Sequence, residues 1–163
     1  MDNKEFYNKQ LDSETEKEIN RICSIDMYLE GKAEEREEKI DSLLAKIKML
    51  ELDISFYVKN FDSLNKDNKD KKILNKISVE IERKRNEKGK EKEKYQQLIK
   101  AQKLKSQFDC LYTKCENAMC ELAECDSQSN FSNFLDEMDK LTYQLHKVRI
   151  KLLRLERRIE RRG

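Results

Sequence analysis

Residues 40–61 read IDSLLAKIKMLELDISFYVKNF, and within them Ile40, Leu43, Ile47, Leu50, Ile54, Tyr57 and Phe61 recur at steps of three and four. Such steps place one apolar side chain per turn on a stripe that drifts slowly around a helix, which is the pattern of a coiled-coil seam. The series reaches upstream through Ile22, Leu29 and Ala33 and ends at Leu64. A second series runs Phe131, Phe134, Met138, Leu141, Leu145, Val148, Leu152, Leu155 and Ile159. No proline interrupts either.

The composition points the same way. Charged residues make up 42% of the chain and hydrophobic ones 37%, too few for a thick globular core but enough to fill narrow seams between long helices. Their periodicity argues against wholesale disorder. The expected fold is all-α: a single domain built as an elongated antiparallel three-helix coiled-coil bundle.

Ser13 and Glu16 have the spacing of a capping box and place the first helix at about 14–64. The run NKDNKDK, residues 65–71, has no apolar residue and favours a turn, so the chain should reverse about Asn68. A second helix, about 71–125, follows Leu74, Ile77 and Ile81, weakens over residues 82–94, and recovers as Tyr95, Leu98, Ala101, Leu104, Phe108, Leu111 and Cys115. Gly89 lies in the weak stretch at a cost of about 1 kcal/mol relative to alanine, so a bend or break is expected there. The alternative fold is a compact four-helix bundle broken near Gly89. Residues 126–130, DSQSN, supply the next turn, and the third helix spans about 131–162.

Charge sets the register. The net charge is −6 over residues 1–64, +8 over 65–105, −6 over 106–137 and +6 over 138–163. Reversals about Asn68 and Gln128 bring residue 150 near 106 and near 30, so opposite signs meet. The basic residues Lys147, Arg149, Lys151, Arg154, Arg157 and Arg158 should then face the acidic run from Glu30 to Asp41. The polar seam residues Asp26 and Arg36 are candidates to pair with the third helix.

The same geometry leaves the third helix too short to line the whole of the first two. Residues 43–64 and 71–93 should project as a two-helix arm about 30 Å long. In it, Leu43, Leu44, Ile47, Met49, Leu50, Leu52, Ile54, Phe56, Tyr57, Val58 and Phe61 make the first helix apolar around much of its circumference. Folding back about Asn68 sets Ile47 and Leu50 against Lys84, Lys88 and Glu91, which are poor cover. An all-round apolar helix calls for more than one neighbour. The expected binding surface is therefore Leu43, Leu44, Ile47, Leu50, Ile54, Tyr57 and Phe61. Its occupant is either a second copy or another helical protein, and the function is that of a non-enzymatic adaptor or structural subunit.

Other functions fit less well. Cys110, Cys115, Cys120 and Cys125 recur every five residues, but each such step turns a side chain by about 140° on a helix, so the thiols spiral apart instead of converging on a metal ion. The only histidine, His146, has no partner constellation, and no phosphate loop or nucleophile motif occurs, so catalysis, cofactors and small-molecule substrates are not expected. The alternative function is a nucleic-acid accessory role for the basic arm 66–105, with Lys84, Arg85, Lys88 and Lys90 as contacts. Against it, acidic residues interleave the basic runs, and no aromatic platform accompanies them. No apolar wedge accompanies the basic residues either, as membrane docking would require. An odd cysteine count and the absence of a signal-like start or membrane span point to the cytoplasm, with the nucleus as the alternative.

Overall fold

The computed structural model describes the backbone of residues 3–66, 70–124 and 128–162, with side chains from residue 12 and, in the last segment, from residue 131. The described residues form an all-α bundle of three helices, α1 (Asn3–Lys66), α2 (Lys71–Ala123) and α3 (Gln128–Arg162). Asn68, the expected centre of the first reversal, and Cys125 and Asp126 lie outside the described residues.

α1 begins at Asn3, well before the expected start at about residue 14, and runs straight through Ser13 and Glu16. Residues 4–12 contain no proline or glycine, so a cap preference of about 1 kcal/mol does not force a boundary where helix formers continue on both sides. α2 starts where Asp70 caps it: its carboxylate accepts the amide of Lys72 at 3.1 Å, and its carbonyl accepts those of Ile73 and Leu74. α3 begins at Gln128 and not at about residue 131, so residues 128–130 of the expected turn are helical.

The break near Gly89 does not occur, and α2 is one helix of 53 residues. One exposed glycine costs about 1 kcal/mol, whereas breaking the helix would strand carbonyls and amides on both sides of the gap. Ion pairs to α1 also hold α2 on both sides of Gly89, from Lys84 and Lys88 before it and Glu91 after it. The compact four-helix alternative falls with the break it requires.

The residues divide into two compact units. One combines the chain up to Glu34 with the chain from Ala101 onward, and the other is Glu35–Lys100. In the first unit all three helices meet. Leu29, Ala101, Leu152, Leu153 and Leu155 form its core, with Ile25, Tyr28, Leu104 and Ile159 packed against it. α3 runs parallel to α1, as Asp26 with Arg149 and Lys32 with Glu160 establish. α2 runs antiparallel to both: Lys105 reaches Glu30, and Arg149 lies 5.4 Å from the Phe108 ring.

Arg149 is the junction of this unit. Its Nε donates to Asp26 Oδ1 at 2.7 Å and its Nη2 to Oδ2 at 3.1 Å, while the guanidinium stacks over Phe108 of α2. The buried arginine is thus doubly bonded to α1 and in a cation–π contact with α2. On the same aromatic ring sits Lys105, whose ammonium bonds Asp109 at 2.6 Å and Glu30 at 2.7 Å. Burial works against its charge, but the two carboxylates prevail and hold the ammonium above the usual lysine range.

The second unit contains only α1 and α2. Lys46 pairs with Glu91 at 3.0 Å, Lys84 with Asp53 at 3.3 Å and Lys88 with Glu51 at 3.2 Å. The residue numbers of these pairs sum to between 137 and 139, which is an antiparallel register centred on residues 68–69. Glu91 is buried and held further by Lys94.

Candidate interaction surface

α1 in the two-helix unit presents two apolar stripes on opposite faces. The inner stripe contains Ile40, Leu43, Ile47, Leu50, Ile54, Tyr57 and Phe61. Ile47 and Leu50 are 6% and 5% exposed, Ile40 is also buried, and the others, with Leu44, are half-buried. The expected poor cover over Ile47 and Leu50 is therefore corrected. Their neighbours across the hairpin are Lys84, Lys88 and Glu91, as the register requires, yet these polar residues shield them. The Lys84 and Lys88 side chains are largely withdrawn from solvent and reach across to Asp53 and Glu51. A lysine offers four methylenes to an apolar seam and carries its charge to the rim, so it serves as a wall.

The outer stripe is what remains uncovered. Met49, Leu52 and Phe56 are 61%, 66% and 62% exposed. They follow one another at steps of three and four, and Ala45, also exposed, extends the stripe by one turn. At about 100° per residue this line lies roughly 200° around the helix from the inner one. Phe56 packs edge-on to Tyr57 with ring centroids 5.9 Å apart, which joins the outer stripe to the inner. The legible signal was the same three-four spacing, hidden because two such series overlap in one segment.

Ala45 to Phe56 spans about 17 Å of helix. Beyond it the same line continues as Ser42 and Glu38 on one side and Lys59 on the other, all exposed. Asp41 and Lys48 flank one edge of the stripe, and Lys46 and Asp53 flank the other.

Of the expected nucleic-acid contacts, Lys84 and Lys88 are engaged by Asp53 and Glu51, whereas Arg85 and Lys90 are exposed. Cys110 and Cys120 are exposed and Cys115 is half-buried, with burial pushing its thiol up despite the nearby Arg149. Among the described residues no group of three or more His, Cys, Asp or Glu is placed to hold a metal ion, and no helix is long and apolar enough to cross a membrane. No protein-family model, curated protein or solved structure matches the chain.

Proposed function

We propose that this chain is a non-enzymatic structural subunit that assembles in the cytosol or nucleus by pairing the outer face of α1, residues 45–56, with the same face of a second copy. The carrying observation is the alignment of Met49, Leu52 and Phe56 as three large exposed apolar side chains at coiled-coil spacing. Isolated exposed apolar residues are ordinary, but three large ones in line at coiled-coil spacing have the form of a short dimerisation seam.

The flanking charges favour a parallel pair of identical helices. In that arrangement each residue on one edge faces the residue five positions later on the opposite edge of the other helix, so Asp41 meets Lys46 and Lys48 meets Asp53. Both pairings are attractive, with Lys46 and Asp53 each shared between the second copy and the α2 residue it already holds, Glu91 and Lys84. A two-fold pairing of this kind is closed and uses one surface twice, the commonest symmetry of soluble assemblies. The short seam makes the dimer weak and concentration-dependent.

Multi-angle light scattering across a concentration series tests the reading. The intact chain should shift from monomer to dimer, and Leu52→Lys with Phe56→Lys should hold it monomeric with unchanged helicity. Lys48→Glu should weaken the dimer by opposing Asp53. A chain that stays monomeric at the highest soluble concentration overturns self-pairing, and a stoichiometric complex with a different helical protein through the same residues would make it an adaptor instead.

A further inference from the structure

The C-terminal half of α3 separates its charges by face. Between Lys147 and Arg162 the only carboxylates are Glu156 and Glu160. Glu156 is buried and Glu160 is turned to Lys32 of α1. Arg149 is likewise directed inward, onto Asp26. Lys147, Lys151, Arg154, Arg158 and Arg161 instead share the exposed face at steps of four, three, four and three. They form a straight ridge about 21 Å long with Arg157 and Arg162 beside it. Exposed Tyr143 lies at its upper end under the Lys147 ammonium, 4.9 Å from the ring centroid. The acidic residues that interleave the basic ones in sequence are absent from this face.

This placement departs from the expected pairing of the basic residues of α3 with the acidic run of α1. Arg149 alone of them is buried, because it sits at the centre of the three-helix core, while the others point away from it.

We infer that this ridge binds the phosphate backbone of double-stranded nucleic acid without reading its sequence. Arginine is the first argument: six of the ten arginines in the chain fall in residues 149–162, and elsewhere lysine is used far more often. The planar guanidinium fork matches phosphate oxygens bidentately, which an ammonium cannot do. Spacing is the second. Successive ridge cations are about 4.5–6 Å apart along the axis, close enough for one helix to engage a run of adjacent phosphates.

Energetics separates this partner from the others. A polyphosphate releases a condensed counterion for each cation that neutralises it, a gain that accumulates along the ridge. Carboxylates on a protein helix return only about 0.3–1 kcal/mol per exposed pair. A membrane needs an apolar face to accompany the cations, and the apolar face of α3 is already buried through Leu145, Leu152 and Leu155.

The test is fluorescence anisotropy of the full chain with a labelled mixed-sequence DNA duplex, titrated over a range of salt. Binding should weaken linearly in a log–log plot with a slope of about −4.5 to −6, corresponding to five to seven phosphate contacts. The exposed triple variant Arg154→Gln, Arg158→Gln, Arg161→Gln should keep its helicity, lose at least tenfold in affinity at low salt and make the slope shallower by about 3. Lys84→Gln with Lys88→Gln should change neither, and a duplex of different sequence should bind equally. Absence of duplex binding at low salt, or binding that the triple variant leaves intact, overturns the inference. So does a triple variant that instead abolishes binding to anionic lipid vesicles or self-association while the intact chain ignores DNA.

Discussion

The three-helix unit buries Leu29, Leu152 and Leu155 almost completely, whereas no large apolar side chain among the described residues of the two-helix unit reaches that state. Both units are made from the same helices with the same seam spacing. The difference is the third helix. Two helices shield a line of residues from two sides and must close the remaining flanks with long polar side chains, as Lys84 and Lys88 do. A third helix encloses the line from the remaining side; charge is buried in both units, Arg149 and Lys105 in this one and Arg36 and Glu91 in the other. The same contrast explains why α1 carries its exposed apolar stripe where only one neighbour is present.

The comparison is broken most directly by cavities. Leu152→Ala should cost about 3–5 kcal/mol in urea denaturation, while Leu50→Ala should cost nearer 2, because a partly open site collapses more easily than an enclosed one. Equal losses would show that the two units enclose their seams equally well. Next in size is the buried ion pair. Asp26→Ala should cost about 3 kcal/mol by leaving Arg149 buried beside Phe108 with its fork unmatched, and adding Arg149→Met should recover most of that loss. If the double variant is no more stable than Asp26→Ala, the junction is a packing effect and not an electrostatic one.

Alkaline titration should separate the units further. Burial, with the adjoining Glu160 carboxylate, pushes the Tyr28 phenol up to about 12, and Lys105 is also held above its usual range. A raised pKa on either group favours the protonated form in the folded chain. The stabilisation is therefore complete below about pH 10 and is lost as pH rises through the folded values. Circular dichroism should record a loss of helicity above about pH 10, and Tyr28→Phe should make that loss smaller. The smallest effect should be the same in both units. Gly31 and Gly89 are exposed within α1 and α2, and a Cβ at either meets nothing within 4 Å. Each change to alanine should therefore raise stability by about 0.5–1 kcal/mol.

Much of this architecture was legible in residue order. The reversal about Asn68 and the alternation of charged blocks set the register that Lys46–Glu91 and Lys84–Asp53 later display, and Asp26 was recognisable as a polar seam residue needing a basic mate from α3. The exposed apolar stripe was legible only as a segment. Residues 43–61 carry two interleaved apolar stripes, and residue order does not reveal that the inner one, including Ile47 and Leu50, is covered, because a lysine is an aliphatic stem as well as a charge. The start of α1 at Asn3 and the continuity of α2 through Gly89 have a related cause. Ser13 and Gly89 express preferences of about 1 kcal/mol, too small to act against long runs of helix-forming neighbours.

Periodicity and blockwise charge are properties of the chain alone, and they are enough to set the helical class, the antiparallel order and the register. The packing of the helices settles which side of each is covered. It placed Arg149 in the core and left Arg154 and Arg158 in solvent, although all three belong to one basic run. Residues a few positions apart differ by a rotation about the helix axis, and whether that rotation points a charge at a carboxylate, an aromatic ring or water depends on where the neighbouring helices stand.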